Sequence, residues 1–210
     1  MVAKLPRRPI RPVPDPVGAE RVELRTDRPL FRVYRAAGRH ATTWGRFRSF
    51  GPARVGRFDH HPLPRAEHRD RRILYAAFDV KTAIAEAFGD ERLIDRRRDE
   101  PYLARFRLVD RVLALDLSTD WPTRAGASQA LSSGPRPTSQ AWSRASWEDL
   151  DGIAALLYAS SMRGGGTNVA FYERAEPAFP RTPDRTLPLS LPALERDLIR
   201  FATELGYAYR

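Results

Sequence analysis

Proline fixes φ and removes a backbone donor, so a proline-dense segment cannot run as an ordinary helix or a central strand. This chain places six of its 18 prolines in residues 1–29 and five more in residues 177–192. Regular structure is thereby concentrated in residues 30–176. The segment 1–29, with its scattered arginines, predicts an extended basic arm. Residues 177–210 predict a proline-rich stretch followed by a C-terminal helix that packs on the domain. A chain of 210 residues suits one domain with extensions and buries a core without staples. It has no cysteine, which excludes disulfides, thiolate nucleophiles and cysteine-based zinc sites.

Between the proline-rich ends, strand and helix periods alternate without regular βαβ spacing, which predicts an α+β fold. LFRVYR (30–35) alternates apolar and polar residues like a half-buried strand. RILYAAF (72–78) is continuously apolar and short, as a strand covered on both faces should be. VKTAIAEAF follows with apolar residues at Val80, Ala83, Ile84, Ala87 and Phe88, the spacing of an amphipathic helix, and Asp79 is its expected N-cap. YLARFRL (102–108) alternates again, and RVLALDL (111–117) is expected beside it. SQAWSRASWEDL (139–150) reads as a helix, IAALLYAS as a buried strand, and VAFYE (169–173) as a strand reached across the loop SMRGGGTN. Ser190 is placed to cap a last helix carrying Leu194, Leu198, Phe201 and Leu205, with Gly206 as its stop.

The net charge of +10 is uneven, with 23 cations against 14 acids in residues 1–100 and 13 against 12 thereafter. Such a basic half attracts nucleic acid, a smaller anion such as a dinucleotide or phosphate, or an acidic protein. In RDRR (69–72) and DRRRDE (95–100), however, the cations are interleaved with acids, unlike a continuous phosphate track. No helix-turn-helix, zinc-finger or RNA-binding signature is present. The four histidines, His40, His60, His61 and His68, lie in one loop-rich stretch without metal-ligand spacing, so they read as isolated loop histidines and no metal is expected. MRGGGTN lacks the Gly-Lys-Ser/Thr ending of a phosphate loop. Asp149-Leu150-Asp151 reads as a solvated turn. The longest apolar run, IAALLYA (153–159), is far too short to span a membrane, and the basic first residues have no apolar core like that of a secretory signal. A cytoplasmic protein without membrane contact is expected.

Glu86 stands inside the apolar passage ILYAAFDVKTAIAEAF. Advancing about 100° per residue puts it on the edge of the helix's apolar stripe. A flanking surface carboxylate and a carboxylate facing a cleft both fit that position. Tyr75, on the preceding strand, is spaced to face the same cleft.

Several short motifs, taken in order, resemble the RES domain, a family of toxins from bacterial toxin–antitoxin pairs. FRVYR is similar to the family's opening strand and puts its arginine on Arg32. VGRFDHH (55–61) resembles the Gly-Arg-Trp-Asn segment and puts the named arginine on Arg57, with Phe58 and Asp59 departing from the usual Trp and Asn. ILYAAFDVKTAIAEAF matches the tyrosine strand and Ala-x-Ala-Glu helix through Tyr75 and Glu86. LLYASSMRGGGTNVAFYE resembles the serine strand and loop, with Ser160 the better match and Ser161 its neighbour. The likeness covers roughly residues 30–175.

The resemblance implies an ADP-ribosyltransferase-like fold, with strongly curved antiparallel or mixed sheets flanked by helices around a central NAD cleft. It implies cleavage of the nicotinamide–ribose bond with phosphate or water as acceptor. NAD is then the substrate, phosphate a co-substrate, and no separate cofactor is needed. An antitoxin protein is the implied partner, with nucleic acid reached only through that complex. Glu86, Arg57 and Ser160 are the implied catalytic residues; Arg32, Arg57, Tyr75 and Ser160 are the implied NAD contacts. Their chemistry suits those roles: arginine's planar fork matches phosphate oxygens, and a carboxylate stabilises an oxocarbenium-like ribose. Transfer of ADP-ribose to a protein or nucleotide, and a non-catalytic nucleic-acid-binding module, are the alternative functions.

Overall fold

The computed structural model describes residues 4–210. Its first half contains β1 (Arg21–Leu24), β2 (Leu30–Arg35), β3 (Phe50–Gly51), β4 (Ala66–Glu67), β5 (Ile73–Ala77), α1 (Val80–Phe88) and β6 (Leu93–Ile94). Its second half contains β7 (Pro101–Phe106), β8 (Val112–Asp116), α2 (Trp121–Arg124), α3 (Arg136–Asp149), β9 (Ala155–Ala159), β10 (Thr167–Tyr172), β11 (Arg185–Pro188), α4 (Glu195–Leu205) and β12 (Ala208–Tyr209). Eight strands make one sheet in the order β1-β8-β9-β10-β5-β2-β7-β11. The β8–β9 pair is parallel and the other neighbours are antiparallel, so this is a mixed sheet flanked by helices in an α+β fold.

RVLALDL does not neighbour YLARFRL. β7 lies between β2 and β11, whereas β8 lies between β1 and β9. Five strand spacings separate them, about 24 Å in a flat sheet. The six steps from Phe106 to Val112 reach only about 20–22 Å when fully extended. The link from Leu24 to Leu30 crosses the same gap with the same number of steps. Both links close only if the sheet curls, and Leu24, Leu30, Phe106 and Val112 indeed pack in one buried cluster inside the curve. The other face carries Ile73, Leu156, Tyr158 and Tyr172 against Trp121 and Trp142. A third cluster sets Ile84 and Phe88 of α1 and Leu198 and Ala202 of α4 against Leu103.

Residues 4–20 lie across α2 and α3. The Trp142 Nε1–H donates to Pro6 O at 3.0 Å and the Trp121 Nε1–H to Pro14 O at 2.8 Å, while Val13 is buried. Asp149 accepts from Val13 N at 3.0 Å and pairs with Arg11, so it is a packed anchor and not a solvated turn residue. Ser190 caps nothing. A 3-10 turn at Pro192–Leu194 intervenes, and α4 starts without a side-chain cap, its first residue being Glu195. No helix among the described residues is long and apolar enough to cross a membrane.

Candidate active site

Asp79 caps α1 by accepting from Thr82 N at 2.9 Å. The helix buries Thr82, Ala83, Ile84, Ala85 and Phe88 and leaves Glu86 exposed at the stripe's edge. β9 and β10 form a hairpin whose loop returns to the N-terminal turns of α1. Ser160, the first residue after β9, donates its hydroxyl to Glu86 Oε1 at 2.6 Å and accepts from the amides of Met162 and Arg163, both at 3.1 Å. Arg163 Nη1 holds the loop to α1 through Asp79 Oδ2 at 2.8 Å and Thr82 Oγ1 at 2.6 Å. A Cβ on Gly166 would sit 2.6 Å from Thr82 Oγ1 and 3.2 Å from Ser160 Cβ, so the approach needs glycine. Asn168, buried on β10 opposite Ala77, donates Nδ2 to the same Glu86 Oε1 at 2.8 Å. Two donors thus converge on Oε1, and among the described residues none donates to Oε2.

Arg57 lies on an irregular segment whose carbonyls have few ladder partners. The buried face of α3 supplies them, which explains why it is polar. Gln140 Nε2 donates to Ala53 O and Gly56 O at 2.8 and 2.7 Å, and Ser143 Oγ donates to Phe58 O at 2.7 Å. Arg57 Nη1 donates to Gly134 O at 2.6 Å, and among the described residues Arg57 has no carboxylate within ion-pair distance. Burial lowers its pKa, repulsion from Arg136 adds to that, and the charge of Glu86 acts in the opposite sense. No hydrogen bond or ion pair joins Arg57 to Glu86 among the described residues.

The Tyr75 hydroxyl donates to Asp59 Oδ1 at 2.7 Å and accepts from Phe58 N at 3.0 Å. Its polar tip is engaged by the protein. Asp59 is fully buried, and it also takes Arg48 Nη2 at 2.6 Å and Ala53 N at 2.6 Å. A Cβ on Gly56 would fall 2.0 Å from Asp59 Oδ1, which accounts for that glycine. Burial raises the pKa of the Tyr158 phenol well above its ordinary value, with the Glu86 charge adding to it. Tyr158 is the cross-strand partner of Asn168, which donates to Glu86, and its ring centroid lies 4.6 Å from that of Phe58, the residue after Arg57.

Arg32 stands apart. It makes no hydrogen bond to Glu86, Ser160 or Arg57; its Nη1 is buried without a partner among the described residues. Burial, then repulsion from Arg48, brings its pKa down to about 10. Ser161 is exposed beside Ser160, which alone contacts Glu86. His60 and His61 are fully buried, not open loop histidines. His60 Nε2 meets Glu173 Oε2 at 2.9 Å, and His61 Nδ1 lies 3.9 Å from Asp59. Among the described residues no group of three or more potential ligands is placed to hold a metal.

The family model of the RES domain matches residues 30–192. The chain belongs to the RES domain family. A chain of the crystal structure of the M. tuberculosis MbcT–MbcA toxin–antitoxin complex is similar in fold, with a TM-score of 0.52 and 17% sequence identity over 81% of this chain and 87% of that one. No curated protein matches the sequence. The RES match takes in Arg32, Arg57, Tyr75, Glu86 and Ser160 together and begins after the N-terminal arm.

Proposed function

We propose that this RES protein cleaves the nicotinamide–ribose bond of NAD, with phosphate or water as acceptor, within an ADP-ribosyltransferase-like cleft. The observation that carries the proposal is the Glu86 carboxylate, whose Oε1 is fixed by Ser160 and Asn168 at 2.6 and 2.8 Å. A carboxylate oriented in this way stabilises an oxocarbenium-like ribose more strongly than neutral NAD, which lowers the barrier instead of merely tightening binding. The C1′–N bond breaks with its electron pair leaving on nicotinamide. An acceptor oxygen then bonds C1′; a water acceptor also gives up a proton. Arg57, which has no ion pair among the described residues, supplies positive charge for a phosphate oxygen. Tyr75, which is partly exposed, contributes ring surface, while Arg32 stands apart from these residues with its Nη1 buried.

The similar solved structure is titled a toxin–antitoxin complex, which supports a toxin role for this protein and control by an antitoxin. The test incubates purified protein with NAD, with and without phosphate, beside Glu86→Gln. Nicotinamide release is expected from the wild type, reduced at least about a hundredfold in the variant. Equal turnover by both proteins would remove Glu86 from the chemistry. Label from NAD on macromolecules would instead favour ADP-ribosyl transfer.

A further inference from the structure

Asp90 follows the end of α1 in helical conformation at Gly89, four residues beyond Glu86, and so stands about one helical turn along the same face. Arg136 opens α3, and its Nη2 donates to Asp90 Oδ1 at 3.1 Å across the gap between the two helices. Arg57 approaches the same turn, its Nη1 bonded to Gly134 O two residues before Arg136. Two guanidinium groups thus converge on the turn Gly134–Arg136, Arg57 through Gly134 O and Arg136 from the turn itself, and among the described residues the one carboxylate paired with either is Asp90, on Arg136. Asp90 is 62% exposed and Arg136 39% exposed, so this ion pair is a weak surface contact that an anion can replace. Like charges brought together at a half-buried place are costly unless an anion joins them.

We infer that Arg57 and Arg136 together bind a phosphate group of the reaction, and that Asp90 holds Arg136 until this group displaces it. The inference rests on the NAD reading for its substrate class. The phosphate is that of the NAD pyrophosphate or that of the free acceptor. In either case Arg136 is a binding residue outside the motifs that name the family, and Asp90 acts on the substrate only through it. A phosphate oxygen accepts from both forks in place of the Asp90 carboxylate.

The experiment measures NAD binding by calorimetry in the Glu86→Gln background without phosphate, and inorganic phosphate binding in a second series. Each is made with Arg136→Ala and with Asp90→Asn, after thermal unfolding shows that the variants are folded. Arg136→Ala is expected to weaken one of the two ligands about tenfold, the loss of one charged hydrogen-bonding group. Weakened NAD assigns the pair to the pyrophosphate; weakened phosphate alone assigns it to the acceptor. Asp90→Asn should move the same ligand the opposite way, tightening it about two- to threefold, since the competing charge is gone. Arg136→Ala binding both ligands as its parent does, or Asp90→Asn weakening the ligand, would overturn the assignment. If the wild type releases no nicotinamide while Arg136→Ala still weakens phosphate binding, the NAD reading fails and the phosphate site stands.

Discussion

At the scale of single residues, the site turns on which oxygen of Glu86 is occupied. Ser160 and Asn168 both donate to Oε1, so the two carboxylate oxygens are not equivalent. Removing Asn168 leaves Ser160 as the sole tether and frees the side chain to rotate. Asn168→Ala is therefore expected to lower kcat for nicotinamide release about ten- to a hundredfold, with KM for NAD within about threefold, as befits a lost hydrogen bond to a charged group. Steady-state kinetics check this; an unchanged kcat would show that Ser160 alone positions the carboxylate. The edge position of Glu86 was legible from the 3.6-residue period, and the structure leaves it exposed there. Asn168 was not legible. A loop ending at SMRGGGTN places it outside the strand, whereas β10 begins at Thr167 and turns Asn168 inward. The signal was one polar residue directly before the apolar run VAFY. Tyr158 was hidden in the reverse way, as one more aromatic in a buried strand.

At the scale of elements, the segments with strong local periods were legible: α1 with its Asp79 cap, the strands around Tyr75 and in IAALLYAS, and the long helix now α3. Sheet order was not, because pairing between strands far apart in sequence leaves no local trace. β1 and β11 lie in the proline-rich ends, where a ladder was least expected; each occupies an outer edge, where unpaired positions tolerate proline. The N-terminal arm packs as tightly as an element. Its carbonyls at Pro6 and Pro14 satisfy the indoles of Trp142 and Trp121, and Val13 enters the core. Deleting residues 1–16 would leave two buried N–H groups unpaired, at roughly 1–3 kcal/mol each, besides the lost apolar contact. The truncated protein is expected to unfold at a temperature lower by roughly 5 °C or more, with tryptophan emission shifted to the red. Coincident melting curves would mean that the arm only rests on the surface.

At the scale of the whole molecule, the curled sheet and α3 clamp between them the segment that carries Arg57, and this segment rests on two buried histidines. Burial lowers the pKa of both His60 and His61, that of His61 to about 4. Asp59 opposes the shift at His61 while Arg48 and His60 add to it; at His60 the hydrogen bond to Glu173 opposes it. Between the ordinary histidine value near 6.5 and the lowered native value, the unfolded chain binds protons that the native protein does not. Stability is therefore fully present above about pH 6.5 and falls as the pH drops toward about 4, by at most about 1.4 kcal/mol per pH unit for each histidine. The carboxylates held below their ordinary values, Asp95 at about 2 among them, lose their contribution only at lower pH. Denaturant unfolding between pH 6.5 and 4.5 thus reports chiefly the histidines, with the lowered glutamates such as Glu173 entering only near its lower end. The wild type is expected to lose stability across this interval, and His61→Gln to show a shallower slope. Since Asp59 touches Tyr75, Arg48 and the neighbourhood of His61 at once, acid should loosen the Arg57 segment ahead of the core. Activity should then fall below pH 6 before global unfolding is detected. A flat stability profile down to pH 4.5 would mean that the histidines are protonated in the native protein and that the Arg57 segment is held by other contacts.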